Sequence, residues 1–562
     1  MMRYLSASVF LCCLISFSVF SQTLTSSNLP IVVIDTQGAT ISDEPKVLGT
    51  MGIIDNGPGQ RNNLTDPFNN YSGSIGIELR GSSSQGFPKK PYAVELRDNA
   101  GNGISASILG MPEEEDWAFI ATYNDKTLIR DALAYKLGRD LGRYAPRTRF
   151  VELVLKRYSV VGSETVVTND YQGIYMVAEK IKRDKNRVDI SKLEPSETVG
   201  DDLTGGYLIK IDKSSGDSGE GFNSSFIPPN RDGGQLINFQ YEYPKYDEIV
   251  SQQKQYIKQY INKFESVLAG TTYSDEVNGY SKYIDVESFI DYMIINEVSK
   301  NVDGYRLSTF MFKDKDSDGG KLNMGPIWDF NLAFGNADYC SGAPTSGWMY
   351  NFNSICGYDQ WLIPFWWNRL LQDAHFRQKL GARWEELRAD KLSSAKIFDY
   401  VDSISDVLNE EATQRNFQKW PVLGQWVWPN AFVGETYGSE ITWLKGWISG
   451  RLFWLDANMP RPEIVTANEE VQEGDVFSVR TYPNPFNGEL TITYSIQKPG
   501  TIRIELFDLI GQLKGSFEKK HEAPGEYKTL VSNPDLSNGV YVVRVKEAVT
   551  KRVATVRVVR SE

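Results

Sequence analysis

The stretch NVDGYRLSTFMFKDKDSDGGKLNMGPIWDFNLAFGN, residues 301–336, decides how this chain is read. It places Asp303 in a loop, because Asn301 favours a helix end and Asp303-Gly304 favours a turn. Two short runs rich in apolar and β-favouring residues follow, 309–313 and 321–324, and they predict a hairpin. Between them, Asp314-Lys315-Asp316-Ser317-Asp318-Gly319 matches the start of a calcium-binding EF-hand loop. The twelfth position is Gly325 rather than Glu, and the flanks read as strands, so a hairpin turn is the better reading. The stretch closes on Trp328-Asp329-Phe330-Asn331, a carboxylate between two aromatic residues. Such a group is costly to bury unless something positive pairs with it. Asp329 is therefore a candidate either for a salt bridge or for Mg²⁺, which takes one or two carboxylates together with phosphate oxygens and water.

Working outward, residues 285–300 predict a helix with Asp285 as its N-cap and Phe289, Met293 and Ile294 facing inward. Another helix is expected over 246–268. Further upstream, 74–80, 92–97, 117–122, 150–156 and 173–178 read as strands. Residues 125–141 carry Ile129, Leu133, Leu137 and Leu141 at helical spacing. These segments predict a mainly antiparallel sheet carrying one helix. Downstream, residues 364–458 read as mostly helical. A β-rich front and an α-rich back make a two-lobed α+β architecture over residues 22–458. Residues 459–478, rich in Pro, Glu and Asn, read as a linker. Residues 479–562 show short alternating strands (489–496, 501–507, 539–545 and 552–559) between Gly, Pro and Asn turns, which predicts a small all-β, Ig-like sandwich.

Composition narrows the chemistry. The chain has 562 residues, so more than one domain is expected. Its formal net charge of −12 argues against a general nucleic-acid binder but leaves room for a small basic pocket. Only two histidines occur, His375 and His521. A His-rich zinc site, a His-based facial triad and an HExxH protease are thereby excluded. Any catalysis runs on carboxylates, Lys, Arg and backbone amides. Residues 1–21 read as a secretory signal: Arg3 precedes the apolar run 9–20, and Val19 and Ser21 are small enough for cleavage. No other segment is long and apolar enough to span a membrane. Outside the signal only Cys340 and Cys356 remain, and in an exported chain they predict a disulfide, a closure of about 3 kcal/mol on the chain-entropy account.

A second constellation lies at Arg80-Gly81-Ser82-Ser83-Ser84-Gln85-Gly86-Phe87-Pro88-Lys89-Lys90. Small residues let backbone N–H groups approach an anion, hydroxyls add donors, and Arg and Lys add charge. Phosphate is the obvious ligand. Glu179 ends the 173–178 strand at the head of a charge run, where a site residue has room to sit. Taken in order, the chain offers a phosphate-type loop with lysines, a helix, a loop Asp, a hairpin and an aromatic-flanked Asp. That is the layout of a kinase-type phosphotransferase.

Five motifs carry a resemblance: RGSSSQGFPKKPYAVEL, LGMPEEEDWAFIATYNDKTLIRDALAYKLGRDLG, GIYMVAEKIKRDKNRV, GGYLIKID and the 301–336 stretch. In these, residues of about 72–340, the chain resembles the CotH-type spore-coat kinases, a family of atypical, secretory-pathway-like protein kinases. The resemblance implies ATP- and Mg²⁺-dependent phosphorylation of protein Ser or Thr, with Mn²⁺ as the alternative metal. It implies that Asp303 is the catalytic carboxylate and that Asp329, with Asn331 beyond it, binds the metal. Arg80, Ser82, Ser83, Lys89 and Lys90 would line the triphosphate, and Glu179 would sit near the nucleotide or its metal. Asp125 and Arg130 match the family's helix start in a structural role.

The C-terminal motifs Tyr482-Pro483-Asn484-Pro485-Phe486-Asn487 and Leu536-Ser537-Asn538-Gly539-Val540-Tyr541 are similar to the sorting domain of type IX secretion cargo. That resemblance implies a partner in the secretion machinery and passage through the periplasm to the cell surface or beyond. The expected partners are thus a protein substrate and that machinery, with no nucleic acid and no transmembrane anchor. A reading from another class is a surface adhesin or matrix-binding protein on a kinase-like scaffold, because fold does not fix function. Trp348, Trp361, Trp366 and Trp367 are its candidate contact residues, with core packing the default reading of the four.

Overall fold

The computed structural model describes residues 24–158, 161, 166–213, 221–230, 236–461, 479–508, 511–532, 536–549 and 552–561. The expected signal (1–21) and most of the expected linker (462–478) lie outside them. Strand Tyr92–Arg97 has the predicted bounds, and its residues alternate between buried and half-buried. It is one of seven strands that close into a barrel, in the order Ile31–Asp35, Val47–Ile54, Tyr71–Leu79, Tyr92–Arg97, Asp116–Ile120, Val166–Glu179 and Thr148–Tyr158. Closure comes from a parallel pairing in which Ile31 lies opposite Glu152. Val32, Ile53, Ile77, Leu96, Phe119 and Val177 fill the interior. The sheet expected from the sequence is thus a barrel with no free edge, a closure that also removes edge-to-edge aggregation sites.

A five-stranded antiparallel sheet follows, in the order Gly221–Asn223, Asn238–Tyr243, Tyr207–Ile211, Thr309–Lys313 and Leu322–Met324. Its last two strands are the predicted hairpin, with Met311 opposite Met324. The hairpin turn holds Asp316 against Lys313 at 2.8 Å, and Gly319 adopts the left-handed conformation at φ 83°. The acidic run is therefore consumed in building a turn.

The helix predicted over 125–141 is shorter, Arg130–Asp140. Asp125 takes hydrogen bonds from Thr127 N and Oγ1 and from Arg130 N, and Leu128 is left-handed at φ 66°. These contacts fold residues 125–129 into a turn ahead of the helix, and Asp125 and Arg130 form a fully buried pair. Helix Val286–Ser299 begins as predicted, with Asp285 accepting a hydrogen bond from Ser288 N at 2.7 Å. It ends at a left-handed Lys300 (φ 47°), which turns the chain into the Asp303 loop. Five helices, Trp366–Leu370, Ala374–Ala389, Ser394–Asn409, Ala412–Lys419 and Tyr437–Asn458, complete the α-rich lobe. A buried Glu297–Arg451 pair locks the last of them to Val286–Ser299 at 2.9 Å. Trp366 and Trp367 are in the core at 0% and 1% exposure, so neither serves the contact patch of the adhesin reading. Cys340 and Cys356 are bridged, with Cα atoms 5.8 Å apart.

The C-terminal region is all-β. A three-stranded sheet (Val479–Tyr482, Glu489–Ile496, Gly525–Ser532) and a four-stranded sheet (Leu513–His521, Gly500–Asp508, Gly539–Glu547, Val553–Arg560) share a core that includes Leu490, Ile492, Ile504 and Val545. The chain is α+β: a two-lobed, kinase-like domain followed by a small Ig-like sandwich.

Candidate active site

One face of the cavity begins where strand Tyr71–Leu79 ends. Arg80 bonds back to the returning chain, its N–H donating to Pro91 O. Gly81 is left-handed at φ 85°, and a Cβ there would meet Ser84 Oγ at 2.1 Å, so only glycine makes this corner. The short 3-10 turn Ser83–Gly86 follows. Arg80, Gly81, Ser82, Ser83 and Ser84 all line a cavity of about 410 Å³. The Arg80 guanidinium lies over the Trp328 ring at 5.2 Å.

The opposite wall carries the carboxylates. Asp329 is left-handed at φ 65°, and its backbone N–H donates to Tyr135 Oη at 3.1 Å. Its side chain meets solvent through the cavity mouth, while protein atoms crowd its other sides. That crowding, and then the Asp303 charge, push its pKa up to about 6 against the pull of Arg80. Asn331 lines the same wall, its Nδ2 donating to Asn124 Oδ1 at 3.0 Å. Asp303 also lines the cavity, and Arg306 Nη2 donates to its Oδ1 at 2.7 Å. The two acids separated by a hairpin in the sequence therefore meet at one cavity with the Gly/Ser turn.

Lys89 is buried in the cavity wall. Its Nζ donates to Ile174 O and to Asn416 Oδ1, and lies 4.9 Å from the centre of the Tyr175 ring. Burial holds its pKa well below the usual lysine range. Lys90 does not line the cavity; it donates to Gln85 O at 2.7 Å and braces the turn from behind. Glu179 does not line it either. It is fully buried and accepts from Arg147 N, Nε and Nη2 at 2.7–2.9 Å. The next residue, Lys180, lines the cavity instead. Successive residues of a strand point to opposite sides, so a reading displaced by one residue selects the wrong side chain.

Seven charged residues of the cavity escaped the sequence reading: Asp43, Glu44, Glu78, Asp131, Lys180, Asp212 and Lys213. Asp131, in the first turn of Arg130–Asp140, accepts from Phe330 N at 2.6 Å. Burial, and then the Asp329 charge, push its pKa up to about 8. Asp212 and Lys213 follow strand Tyr207–Ile211. The available signal was the quoted GGYLIKID motif, whose terminal acid stands at the end of a strand where site residues collect. Outside the cavity, Glu114, Glu115 and Asp116 cluster, but Lys182 bonds all three at 2.9–3.1 Å, and Arg187 and Lys180 stand 3.9 Å from Glu114 and 4.0 Å from Asp116, so three cations already face the three acids.

A barrel-and-sheet lobe over a helical lobe, with paired acids facing a cationic Gly/Ser turn between them, defines a kinase-like class of protein. A family model described as CotH kinase protein matches residues 77–455, and the chain belongs to that family. A second model, described as a secretion system C-terminal sorting domain, matches residues 480–559 and marks the chain as secretion cargo. A comparison with curated proteins returns no match. Among the described residues, no helix is long and apolar enough to cross a membrane.

Proposed function

We propose that the chain is a secreted or cell-surface protein kinase that transfers the γ-phosphate of ATP, with Mg²⁺ or Mn²⁺, to Ser or Thr of exported proteins. Membership of the CotH kinase family supports the reaction class. The observation that carries the reading is the shared cavity of Asp303, Asp329 and the Arg80–Ser84 turn. Seven carboxylates line this cavity (Asp43, Glu44, Glu78, Asp131, Asp212, Asp303, Asp329) against four cations (Arg80, Lys89, Lys180, Lys213). An anionic triphosphate would be repelled by that excess, and the Asp329 charge already pushes the Asp131 pKa upward, as the Asp303 charge does that of Asp329. Both facts fit a site completed by a hard divalent cation held by oxygen ligands, for which Asp329 and Asn331 are the residues at hand. The metal would neutralise phosphate charge. Arg80 and the Ser82–Ser83 hydroxyls would orient the phosphates, and Asp303 would accept the proton of the acceptor hydroxyl.

The test is incorporation of labelled phosphate from ATP by the purified mature chain with Mg²⁺ or Mn²⁺, beside Asp303→Ala and Asp329→Ala. Transfer that both substitutions abolish supports the reading. Transfer that survives them, or no transfer by the unsubstituted chain, removes it.

A further inference from the structure

Asp303 does not stand alone in its loop. Among the described residues its Oδ2 accepts no hydrogen bond, whereas Oδ1 accepts from Arg306 Nη2 at 2.7 Å. Arg306 is 2% exposed, and its other donors are spent on fixed groups. Nε donates to Val302 O at 2.8 Å, and Nη1 donates to Trp361 O and to Asp359 Oδ1, each at 3.2 Å. Its Cζ lies 4.1 Å from the centre of the Phe352 ring. A guanidinium held at so many points cannot swing, so the carboxylate it grips is confined to one orientation.

The anchor behind Arg306 is itself fixed. Asp359 Oδ1 also accepts from Trp361 N at 2.8 Å, and Asp359 N donates to Cys356 O at 2.9 Å. Cys356 is bridged to Cys340. Two residues beyond Cys340, Gly342 packs so tightly that a Cβ there would lie 2.6 Å from Val302 Cγ1. The segments on the two ends of the disulfide thus close on the Val302-Asp303 loop from both sides, one through Gly342 and one through Asp359 and Arg306.

We infer that Arg306 is the positioning residue for Asp303, that Asp359 anchors it, and that the Cys340–Cys356 bridge frames this clamp. The inference rests on the reading of Asp303 as the carboxylate that meets the acceptor hydroxyl. Transfer by such a group depends on its placement, and a shift of about 1 Å costs up to about 100-fold.

The experiment measures kcat and the KM for ATP with dephosphorylated casein as acceptor, together with melting temperature. The chains compared are the unsubstituted protein, Arg306→Gln, Arg306→Lys, Asp359→Asn, Cys340→Ser/Cys356→Ser and Asp303→Asn. Arg306→Gln is expected to lower kcat by about tenfold or more with the ATP KM held within about twofold, and Arg306→Lys to restore part of the loss. Asp359→Asn and the double serine chain are expected to lose about 3- to 10-fold in kcat at the same KM. Full kcat in folded Arg306→Lys and Asp359→Asn overturns the inference. So does a loss that only tracks the folded fraction. Should Asp303→Asn keep full kcat, or the unsubstituted chain transfer nothing, the proposed function falls and the clamp falls with it. An inactive Asp303→Asn beside unaffected Arg306 variants removes the clamp alone.

Discussion

Replacing Asp329 with Asn separates a metal ligand from a structural ion-pair partner, because the two roles predict opposite changes in stability. Asn is tolerated in the left-handed conformation that position 329 adopts, and the backbone N–H bond to Tyr135 does not depend on the side chain. What the substitution removes is a negative charge crowded by protein and by Asp303. A carboxyl raised from 3.8 to about 6 is destabilising at neutral pH, by about 3 kcal/mol at about 1.4 kcal/mol per unit. Solvent entering through the cavity mouth screens that charge and reduces the figure to about 1 kcal/mol. The sign follows from linkage: the folded chain holds this proton more tightly than the unfolded chain. The Asp329 contribution is therefore fully present below pH 3.8 and is lost as pH rises through about 6. Asp329→Asn should melt about 1–2 °C higher than the unsubstituted chain in EDTA at pH 7.5, with the gap narrowing toward pH 5. With Mg²⁺ and ATP the order should reverse, since only the unsubstituted chain gains ligand stabilisation. Differential scanning fluorimetry reads both arms. A variant that melts lower in EDTA would refute the reasoning and make Asp329 the structural partner of Arg80.

Other substitutions probe different parts of the fold. Glu265 is fully buried, with Ser224 and Trp366 as its hydrogen-bond donors, and burial pushes its pKa up to about 7. By the same sign its contribution is lost as pH rises from 4.5 through about 7, so Glu265→Gln should flatten the urea-denaturation profile over that window by about 3 kcal/mol. Arg451→Met leaves Glu297 buried without its cation and should cost about 3–5 kcal/mol in the same assay; a loss below about 1 kcal/mol would show that the bonds from Met349 N, Tyr350 N and Tyr305 suffice for Glu297. Arg80→Ala should raise the ATP KM by about tenfold or more, whereas Lys90→Ala should change it by less than about twofold. Equal effects in nucleotide-binding calorimetry would contradict the placement of Lys90 behind the turn.

What the sequence made legible, and what it did not, divides along one physical line. The hairpin, the Asp285 cap and the alternating strands of the sandwich are local: a few neighbouring residues decide them, and their bounds were read to within a few positions. Barrel closure is not local. It depends on residues 31–34 lying beside residues 152–155, and nothing near Ile31 announces that partner. The site divides in the same way. Asp303 and Asp329 stood out because each sits in a sequence environment that needs explaining, a turn in one case and two flanking aromatics in the other. Asp131 sits in an ordinary amphipathic helix and becomes a cavity residue only because Phe330 docks on its carboxylate from 199 positions away. Glu179 and Lys180 are adjacent in a charge run, and composition cannot distinguish them. Their roles separate because strand Val166–Glu179 pairs with Asp116–Ile120 in a register that sends Glu179 toward Arg147 and Lys180 into the cavity. A one-residue slip in that ladder would exchange the two, placing an eighth acid in a cavity that already lacks positive charge. The pairing register, together with the choice of residue type, therefore sets the charge balance of the cavity.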